Sequence, residues 1–587
     1  MASSTYDAAI RKIAWIEPSR LPWGYNDQNI YSGILFPRGG PKMAALLRQL
    51  GYEVEVISGE LSPIVPEEIA RSFDLACVSV LSNTAPHGYV LARELSKLGL
   101  PVAMGGYQFA HQGVEPHCFA TTEEALGFAP YVVRGEGYAA LPALLEAFAG
   151  QRPFDEVGGL SYRWDDGTIC HNPPAALLGR DEICGLPPAD WTAIRRVEAI
   201  RIAAVHGMHG CPRSCTWCAV WPRDGRRNRN NTAAAFVDEL EAVLATGEYL
   251  HLFFSADNFP VYTNWALEVC QEMVARGLQT TWTCQAEVGA ARNHELLDAM
   301  YAAGCRRWCL GLESINPASL KDSNKRQTAE TMEQCVRTLH DWGIQVHGMF
   351  IVGLPHDTPE TVRATVDWAK RVGVDTCQFL CLADLPGSLD YEAGVREQSF
   401  RPFEGAYEPL NWLFLNGHYA RLANDAMDLE RVQNSYRESM GSFYSFHRSL
   451  GPIFSVNRAA MRAARERGQS WWRSVREGWL YDTFVAALRL RGWSGSLNWL
   501  RGPLNRLYMR RLTADGPEAV ALDQQMLATL PTKWLQTFEE VYAERLKAGT
   551  PRIIRPAEGA FLPSPWPPRP LVLSTAEVAS PTMVETR

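Results

Sequence analysis

Short apolar runs alternate with amphipathic stretches through the first part of the chain. KIAWIEP, EVEVISG, DLACVSVLS and LPVAMGG have the length and apolar content of buried strands, and GGPKMAALLRQLGY, PEEIARSF and YVLARELSKLG between them have helical spacing. This alternation predicts an α/β domain over residues 1–155, a doubly wound, Rossmann-like parallel sheet covered on both faces by helices. Ligands of such sheets bind beyond the carboxyl ends of the strands.

Three further regions follow this first domain. Residues 156–195 predict a hairpin with an Asp-Asp-Gly turn and then a proline-rich linker. The strand and helix alternation resumes over residues 196–395 with six strand patterns, which predicts a partial (β/α)6 barrel with its chemistry on the loops after the strands. Residues 396–560 predict a mostly α-helical C-terminal domain, and the proline-rich residues 561–587 predict a disordered tail.

Composition and charge narrow the class of protein. The 587 residues are 46% hydrophobic and 21% charged, which is ordinary globular usage. The net charge of −8 lacks the positive field of a non-specific nucleic-acid binder, so no nucleic-acid partner is expected. The N-terminus has no signal-peptide pattern and the chain has no long apolar run, which predicts a cytoplasmic protein.

Three of the fourteen cysteines, Cys211, Cys215 and Cys218, lie close together in HGCPRSCTWC, directly after the first predicted barrel strand. Three thiolates on one tight loop can hold three irons of a [4Fe-4S] cluster and leave the fourth iron open, whereas full ligation takes four cysteines. Zinc is the alternative, with His206 and His209 as further donors, but structural zinc needs four ligands and favours paired CxxC knuckles. A redox pair of Cys215 and Cys218 would leave the third cysteine without a role.

With this triplet and its position, the chain resembles the radical S-adenosylmethionine superfamily. SADNFP, GLES and GMFIVGLPHDT follow the triplet in the order and spacing that this family shows around its cofactor. VRGEGYAAL, GGLSYRWDDGTI and LPPADW upstream, and YRESMGSFYSFHRSLGPIF downstream, resemble its cobalamin-binding subfamily. The resemblance covers roughly residues 10–455 and implies three cofactors, a [4Fe-4S] cluster, S-adenosylmethionine and cobalamin.

The resemblance also implies roles for individual residues of the barrel. The three cysteines would ligate the cluster, and Glu287 and Glu313 are the candidate catalytic groups. The candidate S-adenosylmethionine-binding residues also lie at the strand ends: Asp257, Asn258, Gln285, Ser314 and Gly353. Asp257 and Asn258 would accept from the ammonium group, and the backbone at Gly353 would approach the adenine.

In the first domain the resemblance places cobalamin over the strand ends. The candidate residues are small or polar: Ser79, Ser82, Asn83, Gly105, Gly106, Gly135, Glu136 and Gly137. No DxHxxG motif occurs, so no histidine is assigned as the lower cobalt ligand. His87 is the nearest histidine, and its sequence context favours a solvent-facing loop. A degenerate domain that binds no cobalamin is the alternative.

The implied activity is that of a cobalamin-dependent radical S-adenosylmethionine methyltransferase. Such an enzyme transfers methyl from S-adenosylmethionine, via methylcobalamin, to a carbon or phosphorus of a small-molecule substrate. Antibiotic or other natural-product biosynthesis is the expected setting, with an amino acid such as tryptophan as one substrate class. A cyclase or rearrangement enzyme acting on a porphyrin or a hopanoid-type lipid is the alternative. Either enzyme needs a flavodoxin- or ferredoxin-type electron donor.

Two other classes and one further surface remain to be considered. Methylthiotransferases place three matching cysteines in the first domain, whereas Cys77, Cys118, Cys170 and Cys184 here do not match that pattern. A non-enzymatic cobalamin or light-sensing module would not require the cysteine triplet. Residues 458–511 carry twelve arginines among tryptophans and leucines, which suits peripheral membrane contact or an acidic substrate as well as partly buried helices.

Overall fold

The computed structural model describes residues 10–22, 39–109 and 118–556 of the chain. The predicted disordered tail, residues 561–587, and the first nine residues lie outside the described residues. Within the described ranges the predicted order of elements is confirmed: an α/β region, a second α/β region and a helical C-terminal region.

The N-terminal sheet is built from eight strands. They are β1 (Lys12–Glu17), β2 (Glu53–Ser58), β3 (Leu75–Ser79), β4 (Val102–Gly105), β5 (Tyr131–Val133), β6 (Leu160–Arg163), β7 (Ile169–His171) and β14 (Ile553–Ile554). The order across the sheet is β14-β7-β6-β5-β4-β3-β1-β2, and β1 to β5 are all parallel. The 2-1-3-4-5 order of the parallel part is that of a doubly wound sheet, as predicted.

The predicted hairpin is present as β6 and β7 and extends this same sheet. β6 pairs antiparallel with β5, and β7 pairs antiparallel with β6. The short strand β14 from the far end of the chain then pairs in parallel with β7. Its Ile-Ile pattern is too short to predict a strand from sequence, since pairing with a distant edge forms it.

Six helices accompany the N-terminal sheet. They are α1 (Gly40–Gln49), α2 (Pro66–Ser72), α3 (Ala85–Lys97), α4 (Cys118–Ala125), α5 (Gly137–Phe148) and α6 (Arg180–Cys184). Pro41, Pro66 and Pro86 lie in the first turns of α1, α2 and α3, where the missing proline N–H leaves no intrahelical bond unmade.

The barrel sheet contains the six predicted strands. They are β8 (Ile202–Val205), β9 (His251–Phe254), β10 (Trp282–Ala286), β11 (Cys305–Glu313), β12 (Gln345–Val352) and β13 (Thr376–Cys381). They pair in parallel in chain order, which confirms the partial barrel. Around them lie α7 (Val220–Asp224), α8 (Ala233–Leu244), α9 (Thr263–Ala275), α10 (His294–Ala302), α11 (Pro317–Asp322), α12 (Ala329–Asp341), α13 (Pro359–Arg371) and α14 (Leu389–Glu392).

The C-terminal region is helical, as predicted. Its helices are α15 (Leu429–Phe443), α16 (Phe446–Leu450), α17 (Arg458–Glu466), α18 (Trp471–Arg501), α19 (Pro503–Arg511), α20 (Gly516–Leu527) and α21 (Thr532–Ala548). The long helix α18 packs under the barrel: Tyr481 donates to Asp375, just before β13, at 2.9 Å. Of the helices in the described ranges, none has the length and apolar content needed to cross a bilayer.

Candidate active site

The cysteine triplet lies on the loop that follows β8, at the carboxyl edge of the barrel. Gly210 has φ +91°, and a Cβ there would lie 2.2 Å from the carbonyl oxygen of Arg227, so this turn requires glycine. The Cys211 amide donates to Gly225 at 3.1 Å, and the Trp221 indole donates to the Cys215 carbonyl at 3.2 Å. Hydrogen bonds to flanking residues thereby fix the backbone of the loop, while its thiols are left available as metal ligands.

Burial raises the pKa of all three thiols, that of Cys218 to about 12. Charge on Cys215 would also raise the pKa of both Cys211 and Cys218, so the three groups lie close together. Among the described side chains, no three histidines, cysteines or carboxylates lie close enough together to bind one and the same metal ion. In a cubane cluster each thiolate binds its own iron. The three cysteines therefore fit such a cluster even though their thiols do not converge on one metal ion.

Asp257 and Asn258 follow β9 and lie beside the cysteine loop. Burial raises the pKa of Asp257 to about 7, with the Arg223 guanidinium, 3.9 Å away, opposing that rise. The Asn258 side chain donates to Glu287 at 3.1 Å. Its Oδ1 is buried and has no hydrogen-bond donor in the described part of the chain, which leaves an acceptor available for a ligand.

Glu287 is held by the cysteine loop itself. Arg213, which lies between Cys211 and Cys215, donates to the two carboxylate oxygens of Glu287 at 2.7 Å and 2.5 Å. Burial acts to raise the pKa of Glu287, but the Arg213 pair outweighs it and the pKa is lowered. Glu287 also lines an open cavity of about 650 Å³ with Arg292 and His294. Its catalytic role stays a prediction.

Glu313 ends β11 in a left-handed conformation, with φ +59°. Its buried carboxylate pairs with Lys325 at 3.0 Å. Negative charge on Glu313, Cys215 and Cys218 together raises the pKa of Lys325, against the opposing effect of burial. A Cβ at Gly311 would lie 2.7 Å from the Glu313 carboxylate, so that glycine makes room for the pair.

Lys325 is a functional candidate that sequence reasoning missed. It follows α11 in a polar SNK stretch that carries no motif, and only the fold brings it under the cysteine loop. The Trp217 ring, inside the triplet, lies 5.8 Å from its ammonium group. Arg213 was also missed, although its place between two predicted ligands could have identified it.

The remaining predicted barrel residues lie along the same edge, and each has a hydrogen-bond partner within the protein. Gln285 donates to the Ala256 carbonyl at 3.4 Å, and buried Ser314 accepts from the Asn316 amide at 3.1 Å. Gly353, with φ +92°, donates to Asp357 at 3.1 Å, and burial raises the pKa of that carboxyl to about 6. No finding tests their assignment to S-adenosylmethionine.

The predicted cobalamin-binding residues lie at the carboxyl ends of strands in the N-terminal sheet. Ser79 ends β3 and Gly105 ends β4, while Ser82 and Asn83 lie in a short 3-10 helix, Ser82–Thr84. Gly106 has φ +103°, and a Cβ there would lie 2.5 Å from the Val80 carbonyl oxygen. The chain therefore turns very close to β3 at this point.

The third cobalamin candidate segment joins the two domains. Gly135 has φ +78° and Gly137 begins α5, which places both at the end of β5. Glu136 between them accepts from Arg229 of the barrel at 2.5 Å and from the Leu178 amide at 3.1 Å. The Glu136 carboxylate thus already has protein partners, and its role as a cofactor ligand stays a prediction.

A second contact joins the two edges. The guanidinium of Arg223, on α7 directly after the cysteine loop, lies 4.2 Å from the centre of the Tyr107 ring, which follows β4. With Glu136 and Arg229, this contact brings the carboxyl edges of the two sheets to the same interface.

His87 is not in a solvent-facing loop, contrary to the sequence expectation. It lies within α3, is 6% exposed, and its Nδ1 is 2.9 Å from the Ser19 carbonyl oxygen. Its ring packs against Trp534 of α21 at 5.4 Å. Burial lowers its pKa to about 4. A contact with a helix more than four hundred residues away has no local sequence signal, which is why the histidine was misplaced.

Residues 205–369 match the family model of the radical SAM superfamily. The segment that carries the cysteine loop is a radical SAM domain. The match contains the cysteine loop and strands β9 to β12, and it confirms the family predicted from the triplet.

Curated and solved relatives extend the similarity beyond this domain. An uncharacterized methyltransferase of Pyrococcus horikoshii is 26% identical over 371 residues, 61% of this chain and 78% of that protein. An anaerobic magnesium-protoporphyrin IX monomethyl ester cyclase of Rubrivivax gelatinosus is 28% identical over 322 residues, 52% of this chain and only 55% of the cyclase. The radical S-adenosylmethionine methyltransferase TsrM of Kitasatospora setae, solved with cobalamin and a [4Fe-4S] cluster, has a TM-score of 0.56 at 18% identity, covering 81% of this chain and 99% of that one.

Proposed function

We propose that the chain is a cobalamin-dependent radical S-adenosylmethionine methyltransferase acting on a small organic molecule. The observation that carries this proposal is the shared interface of the two carboxyl edges, where Arg223 beside the cysteine loop contacts Tyr107 at the end of β4. Methyl transfer through a corrinoid requires both cofactors to reach one space, and strand ends of facing α/β domains supply it. The methyltransferases among the relatives, TsrM with its cobalamin and cluster above all, support the class and the cofactor set.

The residues on the barrel edge would hold the cluster and its substrate. Cys211, Cys215 and Cys218 would bind three irons, and the unpartnered Asn258 Oδ1 would accept from the ammonium of S-adenosylmethionine. When bound, the cluster supplies one electron for cleavage of S-adenosylmethionine and cobalamin carries the methyl group. An ammonium beside Asp257 favours its charged form and lowers its raised pKa.

Lys325 and Glu313 adjust the charge beneath the triplet. The partly buried ammonium group of Lys325 stabilises nearby thiolates, because opposite charges attract more strongly where water is partly excluded. Glu313 compensates the lysine, so the pair adds a fixed dipole and no net charge. On the opposite edge, Gly105 and Gly106 would let the corrin approach the backbone of the N-terminal sheet.

The substrate and the electron donor belong to the proposal as well. We infer a small-molecule substrate, since TsrM, whose fold is similar, was also solved with its substrate tryptophan. A flavodoxin- or ferredoxin-type protein in a reducing cytoplasm would supply the electron, in keeping with the absence of disulfides among the cysteine side chains that the structure describes. The cyclase reaction is the second candidate, because the Rubrivivax gelatinosus cyclase is 28% identical over its matched region.

Anaerobic reconstitution tests the class. The full chain is loaded with iron, sulfide and hydroxocobalamin, repurified, and incubated with S-adenosylmethionine and a reductant. Bound cobalamin together with release of 5′-deoxyadenosine and S-adenosylhomocysteine is expected for a radical methyltransferase. Deoxyadenosine with no bound cobalamin and no S-adenosylhomocysteine would overturn the methyltransferase and favour other radical chemistry, such as that of a cyclase.

A matched cysteine pair tests the cluster assignment. Cys218→Ser should lower the bound iron and sulfide and abolish deoxyadenosine release while cobalamin still binds, because the sheet that would hold the corrin is untouched. Cys184→Ser is the control, since Cys184 is half-buried in α6 and lies outside the triplet. Equal iron content in both variants would contradict the assignment.

A further inference from the structure

The C-terminal region carries a group of large apolar side chains that face solvent. Phe454 is 87% exposed and Trp472 is 76% exposed, and Trp471 and Trp479 are about half exposed. Single exposed apolar residues are common on protein surfaces, but several large aromatics together usually mark a contact surface.

These side chains belong to two segments that pack side by side. A Cβ at Gly478 of α18 would lie 2.7 Å from the Asn457 carbonyl oxygen, so the chain just before α17 crosses α18 there. Ser455 donates to Asp482 of α18 at 2.6 Å. Phe454 thus lies next to the part of α18 that carries Trp479, and the Trp471 and Trp472 rings are 4.4 Å apart one to two turns earlier.

The segments that carry these aromatics are rich in arginine and poor in acidic residues. Residues 446–480 contain seven arginines and two glutamates, in a chain whose net charge is −8. In α17 three of the four alanines are buried and the arginines are exposed, which makes its outer face cationic. Of the six arginines in the described residues 453–480, only Arg467 has a carboxylate partner, Asp298 at 3.8 Å. The other five have none within the described ranges: Arg458, Arg462, Arg465, Arg473 and Arg476.

We propose that this aromatic and arginine surface, residues 453–480, docks on an anionic lipid bilayer. A bilayer presents a layer of phosphates with apolar chains a few ångströms below it, and interleaved arginines and tryptophans match both layers at once. Guanidinium groups bind phosphate through paired N–H donors, and indole rings favour the headgroup boundary. The contact is interfacial, because no described helix could span the bilayer.

The surface lies away from the active-site edge. α18 contacts the amino ends of the barrel strands: the Phe484 ring is 6.0 Å from the ring of His251, which begins β9. The cysteine loop follows the carboxyl end of β8. Lipid docking would therefore locate the enzyme at a membrane and leave the interface between the two sheets uncovered, whatever the reaction is.

Flotation of the full chain with vesicles tests the proposal. One vesicle set is phosphatidylcholine and the other is phosphatidylcholine mixed with phosphatidylglycerol. We expect flotation with the anionic set only, weakened by added sodium chloride, since exposed charges are screened. Arg462→Glu with Arg473→Glu and Arg476→Glu should reduce the bound fraction at least about tenfold, and Trp472→Ser with Trp479→Ser should do the same.

Matched substitutions elsewhere keep the test specific. Leu250→Ser removes an apolar side chain that is 77% exposed on the barrel, and Arg431→Glu reverses an exposed arginine on α15. Both should float like the unmodified chain, and circular dichroism should show that every variant is folded. Absence of flotation, or equal flotation of the patch variants and the controls, would overturn the proposal. Self-association without lipid that the tryptophan variant abolishes would also overturn it, because the surface would then bind a second copy.

Discussion

The two sheets present their carboxyl edges to the same interface, but with different groups. The barrel edge carries thiols and paired charges, such as Glu313 with Lys325. The N-terminal edge carries glycines and small polar residues, and its one carboxylate among the predicted residues, Glu136, is bound to Arg229 across the interface. The barrel edge is thus built to hold charge, whereas the edge of the N-terminal sheet is built to let another molecule approach the backbone.

This difference predicts opposite sensitivities. Removing one partner of a buried charge pair leaves the other charge unpaired in a poorly solvated place, which is costly even when the shape is kept. Adding volume to a close-packed turn is costly even when no charge changes. The barrel edge should therefore respond to charge and the other edge to volume.

Lys325→Met gives the largest expected effect on the barrel edge. It leaves Glu313 buried without its partner and should lower the free energy of unfolding by about 3–5 kcal/mol. Urea titration of the apo protein measures this. The double variant Glu313→Gln with Lys325→Met should recover most of the loss, because neither charge remains. A loss for the double variant equal to the single one would show that packing, and not charge, is responsible.

Gly106→Ala tests the volume limit of the other edge. Its Cβ would meet the Val80 backbone at 2.5 Å, so the free energy of unfolding should fall by about 3 kcal/mol, and cobalamin binding should weaken. Gly99→Ala is the matched control, with φ +84° and no atom within 4 Å of its Cβ. It should lose only about 1 kcal/mol, the cost of the left-handed backbone alone. Equal losses would show that the close approach to β3 is not a constraint.

His87→Gln gives the smallest expected effect and depends on pH. The pKa of His87 is lowered by burial from 6.5 to about 4, so the unfolded chain binds more protons and stability falls as the pH drops from 6.5 towards 4. At pH 5 this linkage should cost the unmodified chain roughly 2 kcal/mol relative to pH 8. The variant should lose less stability between these two pH values than the unmodified chain. Identical pH dependence for His87→Gln would contradict the assignment.

Most of the fold was predictable because its signals are local. The four strand patterns of the first domain and the six of the barrel are short, apolar and separated by helical spacing, and all ten became strands in the predicted order. The position of the cysteine triplet after β8 followed from the same reading. The strand β14 could not be predicted, since two isoleucines become a strand only against the edge of β7.

The candidate site likewise combines features with local sequence signals and contacts between residues far apart in the chain. The sequence by itself determined the barrel, the cluster loop and the glycine-rich turns, because strand periodicity, thiol spacing and turn chemistry act over a few residues. Only the tertiary structure decided that Lys325 lies beneath the cysteines, that Arg229 binds Glu136, and that His87 is buried against α21. Those contacts join residues far apart in the chain, and their energies depend on burial and on distances that folding alone sets.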